Sequence, residues 1–97
     1  MPTATAPASR KEHVLADSAH VRQERHKLAV RLLSFRAEHK IPRRVVASLI
    51  GCSQSNIKCI EAESNSPSYA LALTLEKLLA LKAHSVRRLI AEMEIPL

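Results

Sequence analysis

Gly51 is the only glycine among the 97 residues of this chain. Glycine reaches left-handed backbone at no steric cost, so tight hairpins and β-bulges lean on it. A fold of many paired strands would need several such turns. It would also favour aromatic side chains on its pleated faces, and here there are one Tyr, one Phe and no Trp. The apolar share of 46% is carried mostly by Leu, Ala, Val and Ile. The chain is expected to be all-α. Its length allows one small domain, whose modest core often gains stability from a partner subunit.

Apart from Met1, residues 1–9 are Pro, Ala, Thr and Ser without periodicity, and a flexible basic tail is expected over residues 1–17. From Ser18 to about Lys40 nothing breaks a helix, and Val21, Leu28, Leu32 and Phe35 fall at helical spacing. Pro42 pushes the residue before it out of helical backbone and suits the first turn of the next helix. That helix, "PRRVVASLI", is short and closes at Gly51. Ser53 then caps a second short helix, and "SNSPS" is a turn cluster. Ser66 or Ser68 can cap a leucine-rich helix carrying Leu71, Leu75, Leu78, Leu79 and Leu81. Ser85 is expected to cap the last helix, "VRRLIAEME". Five or six helices result, with residues 18–97 as the folded domain.

The formal charge of +6 is unevenly placed. Residues 1–44 hold ten Lys/Arg against four acids, whereas residues 45–97 hold five of each. A basic half favours a polyanionic partner, although a merely solvated face has the same composition. No apolar stretch approaches the roughly 20 residues of a membrane span, and "MPTATAPASRKEH" lacks the hydrophobic run of a secretory signal. Two cysteines suit a reducing cytoplasm.

Cys52 and Cys59 could in principle mark a metal or redox site. They lack a Cys-x2-Cys pair, and His13, His20, His26, His39 and His84 are scattered. Four local ligands are therefore missing, and neither a metal nor another cofactor is expected. Cys52 is better read as core filling, and Cys59 as exposed or half-exposed. Without paired carboxylates, a nucleophile–base set or a phosphate loop, no catalytic residues are expected, and the chain is not read as an enzyme.

Two short helices joined across Gly51 pose a geometric demand. A tight bend needs a residue that tolerates positive φ, and close approach needs a small residue at the crossing, which Ala47 supplies. In the second helix Ile57 and Ile60 form a stripe to bury. Around it stand Gln54, Ser55, Asn56, Lys58 and Cys59, short and polar for the most part. Amide and hydroxyl groups on a slender helix are what reading base edges in a major groove requires.

From Leu28 to about Ile90 the chain resembles the Cro/phage-repressor-type (XRE-like) helix-turn-helix family, on the pattern "IPRRVVASLIGCSQSNIKCIE…SNSPS". The residues that carry the likeness are Ala47, Gly51, Ser53-Gln54-Ser55, Ile57, Ile60-Glu61 and Pro67. The resemblance implies a compact lambda-repressor-like domain with an N-terminal helical extension. It implies a homodimer on double-stranded DNA, reading a palindromic operator. Gln54 and Ser55 would face bases, with Lys58 at the groove edge. Cys59 stands where the family often has a longer base-reading side chain. Arg43 occupies a phosphate-touching glutamine position, and Arg44, Ser53 and Asn56 would also lie near phosphates. Arg36 and Glu61 match a family ion pair, with Arg36 close to the DNA backbone. A bacterial, plasmid or phage origin and a place on the nucleoid follow from the same likeness.

The apolar end offers Val86, Leu89, Ile90, Met93, Ile95 and Leu97 as a dimer interface, or else as closure of the monomer's core. Arg10 and Lys11 could form an arm along the minor groove. Alternatively the stretch from Ser18 lengthens the first helix and joins the dimer contact. The expected function is transcriptional repression by occupancy. One alternative is an antitoxin that represses its own operon while binding a protein toxin. Another is a helical adaptor that binds proteins and no DNA.

Overall fold

The computed structural model describes the backbone of residues 2–97 and the side chains of residues 19–97. The basic side chains of the expected tail, residues 1–17, lie outside the described residues. Five helices follow one another: α1 (Pro2–His39), α2 (Arg43–Ile50), α3 (Gln54–Glu61), α4 (Tyr69–Leu79) and α5 (Ala83–Glu92). Among the described residues there is no strand, in keeping with the all-α expectation.

The core draws on every helix. α1 contributes Leu32 and Phe35, α2 contributes Val45, Val46 and Ala47, and α3 contributes Ile57 and Ile60. Leu75 and Leu78 enter from α4, Val86 and Ile90 from α5. Leu32, Val45, Val46, Ile57, Leu75 and Val86 are fully buried, and each stabilises the fold by about 1.5–3 kcal/mol relative to exposure. α3 packs against both α1 and α2, while α2 also meets α4 and α5. The short α3 is thus gripped from two sides.

Four of the five helices stop in the same way. Lys40, Gly51, Glu63 and Glu94 follow α1, α2, α3 and α5 with φ of 55°, 74°, 61° and 55°. In each case the next amide donates to a carbonyl five positions back. These bonds are Ile41 to Arg36 (3.1 Å), Cys52 to Ala47 (3.0 Å), Ser64 to Cys59 (3.1 Å) and Ile95 to Ile90 (3.0 Å). The motif satisfies carbonyls that a helix end would otherwise leave unpaired. Only one of the four left-handed positions is a glycine.

The helix starts depart from the sequence reading in two places. The backbone of α1 is helical from Pro2, ahead of the expected start at Ser18. α5 begins at Ala83 behind Lys82, which makes no side-chain cap bond, so Ser85 lies inside the helix and does not cap it. For α4 the choice falls on Ser68, whose Oγ accepts from the Leu71 amide at 3.2 Å. Ser66 instead accepts from Arg25 Nε at 2.7 Å, tying the α3–α4 loop to α1.

The apolar C-terminal end divides in two. Val86 (0% exposed) and Ile90 (4%) lie in the monomer's own core, which corrects their assignment to a subunit contact. Leu89 is half-buried, and Ile95 packs partly buried against the core. Met93 and Leu97 are exposed at 49% and 62%. α5 and the tail are also tied down by polar bonds. Arg87 Nη2 donates to the His39 carbonyl at 3.0 Å, and Arg44 Nη1 donates to the Pro96 carbonyl.

Candidate nucleic-acid interface

The turn between α2 and α3 is built on two residues. Ala47 is 3% exposed, and its carbonyl accepts from both Gly51 (2.8 Å) and Cys52 (3.0 Å). Gly51 takes up the left-handed conformation, and a Cβ built on it would meet nothing within 4 Å. Its requirement is therefore conformational, without any shortage of space. Ser53 follows in extended backbone, and its Oγ accepts from the Asn56 amide at 3.2 Å to start α3.

Helical periodicity then sorts α3 into two sides. Ile57, Ile60 and Glu61 are buried, while Gln54, Ser55, Asn56 and Lys58 are exposed. The polar side chains singled out from the sequence therefore stand together in solvent on one short helix. Neither α2 nor α3 has an acid in its first turn, so the positive ends of both helix dipoles are unmasked there.

Cys59 departs from this group. It lies one turn beyond Ser55 but is half-buried. It lines a shallow groove with Asn56, Asn65, Pro67 and Leu71, between α3 and the α3–α4 loop. Cys52 is half-buried against the core, and burial pushes its thiol pKa up, away from the thiolate that redox or metal chemistry uses. Both cysteines are free. Among the described residues no cluster of three or more His, Cys, Asp or Glu could hold a metal ion.

One carboxylate organises the charges behind α3. The Glu61 side chain is 3% exposed, yet three helices meet on it. Arg36 of α1 grips both oxygens, Nε to Oε2 at 2.5 Å and Nη2 to Oε1 at 3.0 Å. Its remaining amino group, Nη1, donates to the Ile41 carbonyl at 3.5 Å. Arg43, in the first turn of α2, adds a third bond, Nε to Glu61 Oε1 at 2.7 Å. Burial alone would raise the Glu61 pKa, but the hydrogen bonds and charges of Arg36 and then Arg43 outweigh it and hold the carboxyl below its ordinary value. The anticipated Arg36–Glu61 pair is therefore one side of a triad that Arg43 completes.

The cations expected to meet phosphates differ in how free they are. Arg36 has all three nitrogens engaged inside the protein. Arg44 is partly withdrawn by its bond to Pro96. The Arg43 side chain remains 43% exposed, and Lys58 is exposed. The Ser53 hydroxyl is occupied as the cap of α3.

Sequence reading missed the Arg43–Glu61 bond, the Arg44–Pro96 strap and the link from His26 Nδ1 to Glu63 at 3.1 Å. All three join positions at least 18 residues apart. An arginine at the start of α2 with an acid at the end of α3 was the one available hint. Among the described residues no helix is long and apolar enough to cross a membrane. Comparison with known protein families, with curated proteins and with solved structures finds no match in any of the three.

Proposed function

We propose that this chain is a sequence-specific DNA-binding transcriptional repressor of the Cro/phage-repressor type, acting as a homodimer on a palindromic operator. The observation that carries the reading is the division of α3. Ile57 and Ile60 are buried, whereas Gln54, Ser55, Asn56 and Lys58 are exposed at the start of a helix that follows a tight turn. Such a helix can lie in a major groove with amides and hydroxyls facing base edges. Gln54 can pair bidentately with adenine, while Ser55 and Lys58 can reach neighbouring bases.

The basic balance of residues 1–44 supplies the sequence-independent attraction. Met93 and Leu97 offer exposed apolar surface for a second subunit, and two copies would read two half-sites about one helical turn apart. Repression follows from position, because a protein seated on a promoter excludes polymerase.

The test is selection of bound duplexes from a random pool. A palindromic consensus is expected, with half-site centres separated by about 10 base pairs and with affinity falling steeply between about 50 and 200 mM salt. Recovery of unenriched sequences at every salt concentration would exclude the reading.

A further inference from the structure

Between α1 and α4 runs an open groove of about 330 Å³. Small-molecule sites span roughly 300–1,000 Å³, so this one suits a ligand at the lower end. Its apolar lining comes from Val21 and Leu28 of α1, Pro67 of the α3–α4 loop and Ala72 of α4. All four are half-buried, and the surface they still show to water is what an apolar ligand would cover.

The charges around the groove are answered internally, with one exception. Lys27 Nζ pairs with Glu24 Oε1 at 3.5 Å, and Arg31 Nη1 pairs with Glu76 Oε1 at 2.7 Å. His20, also in the lining, adds no negative charge in either protonation state. Arg25 differs. Its Nε donates to the neutral Ser66 Oγ at 2.7 Å. Among the described residues it makes no ion pair, and its two terminal amino groups have no hydrogen-bond partner. Ser66 thus holds one edge of a half-buried guanidinium, and the other edge is a two-donor fork that matches the two oxygens of a carboxylate.

This combination is selective. A wholly apolar molecule would leave the Arg25 charge without a counter-ion. A polyanion would bring its further charges towards the carboxylates of Glu24 and Glu76. One anionic head on an apolar body satisfies both parts of the lining. Val21, Glu24 and Arg25 all precede Leu28, where the helix-turn-helix resemblance begins, so the groove depends on the N-terminal extension.

We propose that the α1–α4 groove binds a small apolar monocarboxylate, its carboxylate on the Arg25 fork and its hydrocarbon part against Val21, Leu28, Pro67 and Ala72. The site stands independently of the DNA-binding reading. A bound acid would brace the α3–α4 loop against α1 and so stabilise the folded chain.

The test uses octanoate, titrated into the full chain at neutral pH and matched ionic strength while methyl resonances are followed by NMR. Octanol, which lacks the charge, and acetate, which lacks the chain, are the controls. The Val21, Leu28 and Ala72 methyls should shift saturably with octanoate, with a Kd on the order of 1 mM or tighter for a ligand of about ten heavy atoms. Octanol and acetate should each bind at least about tenfold more weakly, and octanoate alone should raise the thermal midpoint. Arg25→Gln should lose about tenfold in octanoate affinity, the worth of one charge-assisted hydrogen bond, and keep the weak octanol response unchanged. Ala72→Phe should fill the groove and abolish both responses, and circular dichroism reports whether it is folded. Should it unfold, the charge-dependent split between octanoate and octanol at Arg25 carries the test. The absence of a saturable octanoate shift overturns the proposal, and so does an Arg25→Gln variant that binds octanoate like the wild type. Shifts centred on the exposed Leu73 or Met93 overturn it as adsorption to surface apolar groups. Groove resonances that move with protein concentration alone overturn it in favour of a second copy of the chain as the occupant.

Discussion

Glu61 stays ionised against the cost of its own burial because two guanidiniums compensate for the water it has lost. Its pKa is depressed below the ordinary 4.5 in the folded chain, so the unfolded chain binds the proton more readily. The stabilisation is therefore complete above about pH 4.5 and is lost as pH falls through the lower folded value. Urea unfolding of the wild type should show its midpoint dropping across that acidic window. Glu61→Gln should be less stable at neutral pH and show a flatter acid limb, and equal acid slopes would contradict the linkage. At the exposed edge of the same helix, the proposed base contact gives a second expectation. Gln54→Ala should cost about 1–3 kcal/mol on the selected duplex and blunt discrimination at one base pair, without moving thermal stability. Titration against single-base variants of that duplex checks it.

Among the elements, the shared mode of helix termination makes a matched pair of expectations. Gly51→Ala meets no atom within 4 Å, so its cost is the left-handed backbone alone, about 1–2 kcal/mol. Lys40 holds the same conformation with a side chain already present. Lys40→Gly should therefore be neutral to stabilising by about 0.5–1 kcal/mol, the relieved strain less the added unfolded-state entropy. The denaturant midpoint should fall for Gly51→Ala and hold or rise for Lys40→Gly. These ends also show what was legible in the sequence. The Gly51 turn, the Ser53 cap and the stripe of Ile57 and Ile60 were readable, because each uses the residue type its local geometry prefers. Lys40, Glu63 and Glu94 gave no such signal, since lysine and glutamate do not advertise positive φ. Ser85 misled for the converse reason: a good capping residue sat two positions inside a helix that starts without a side-chain cap.

For the whole molecule, the central question is which apolar groups close the monomer and which remain for a partner. Periodicity marks an apolar face on α5 but is blind to what covers it, so Val86 and Ile90 could be placed only by the fold. The distinction is measurable. In the proposed homodimer, Met93→Glu, at an exposed position, should preserve helix content and thermal midpoint while shifting sedimentation towards the monomer. Val86→Ala, fully buried, should lower stability by about 1–3 kcal/mol through the cavity it opens. If Met93→Glu leaves the sedimentation of the wild type unchanged, that end of the molecule is not the subunit contact. The same dependence on approach explains why the Arg36–Glu61 pair was anticipated by family likeness and Arg43's share in it was not. That share has a genetic consequence. Exchanging the signs of an ordinary ion pair can restore it, but Arg36→Glu combined with Glu61→Arg would set a cation against Arg43. With two bases to one acid, the cluster has odd parity. No double reversal rescues it, and a reversed charge at Glu61 has to be answered at both arginines.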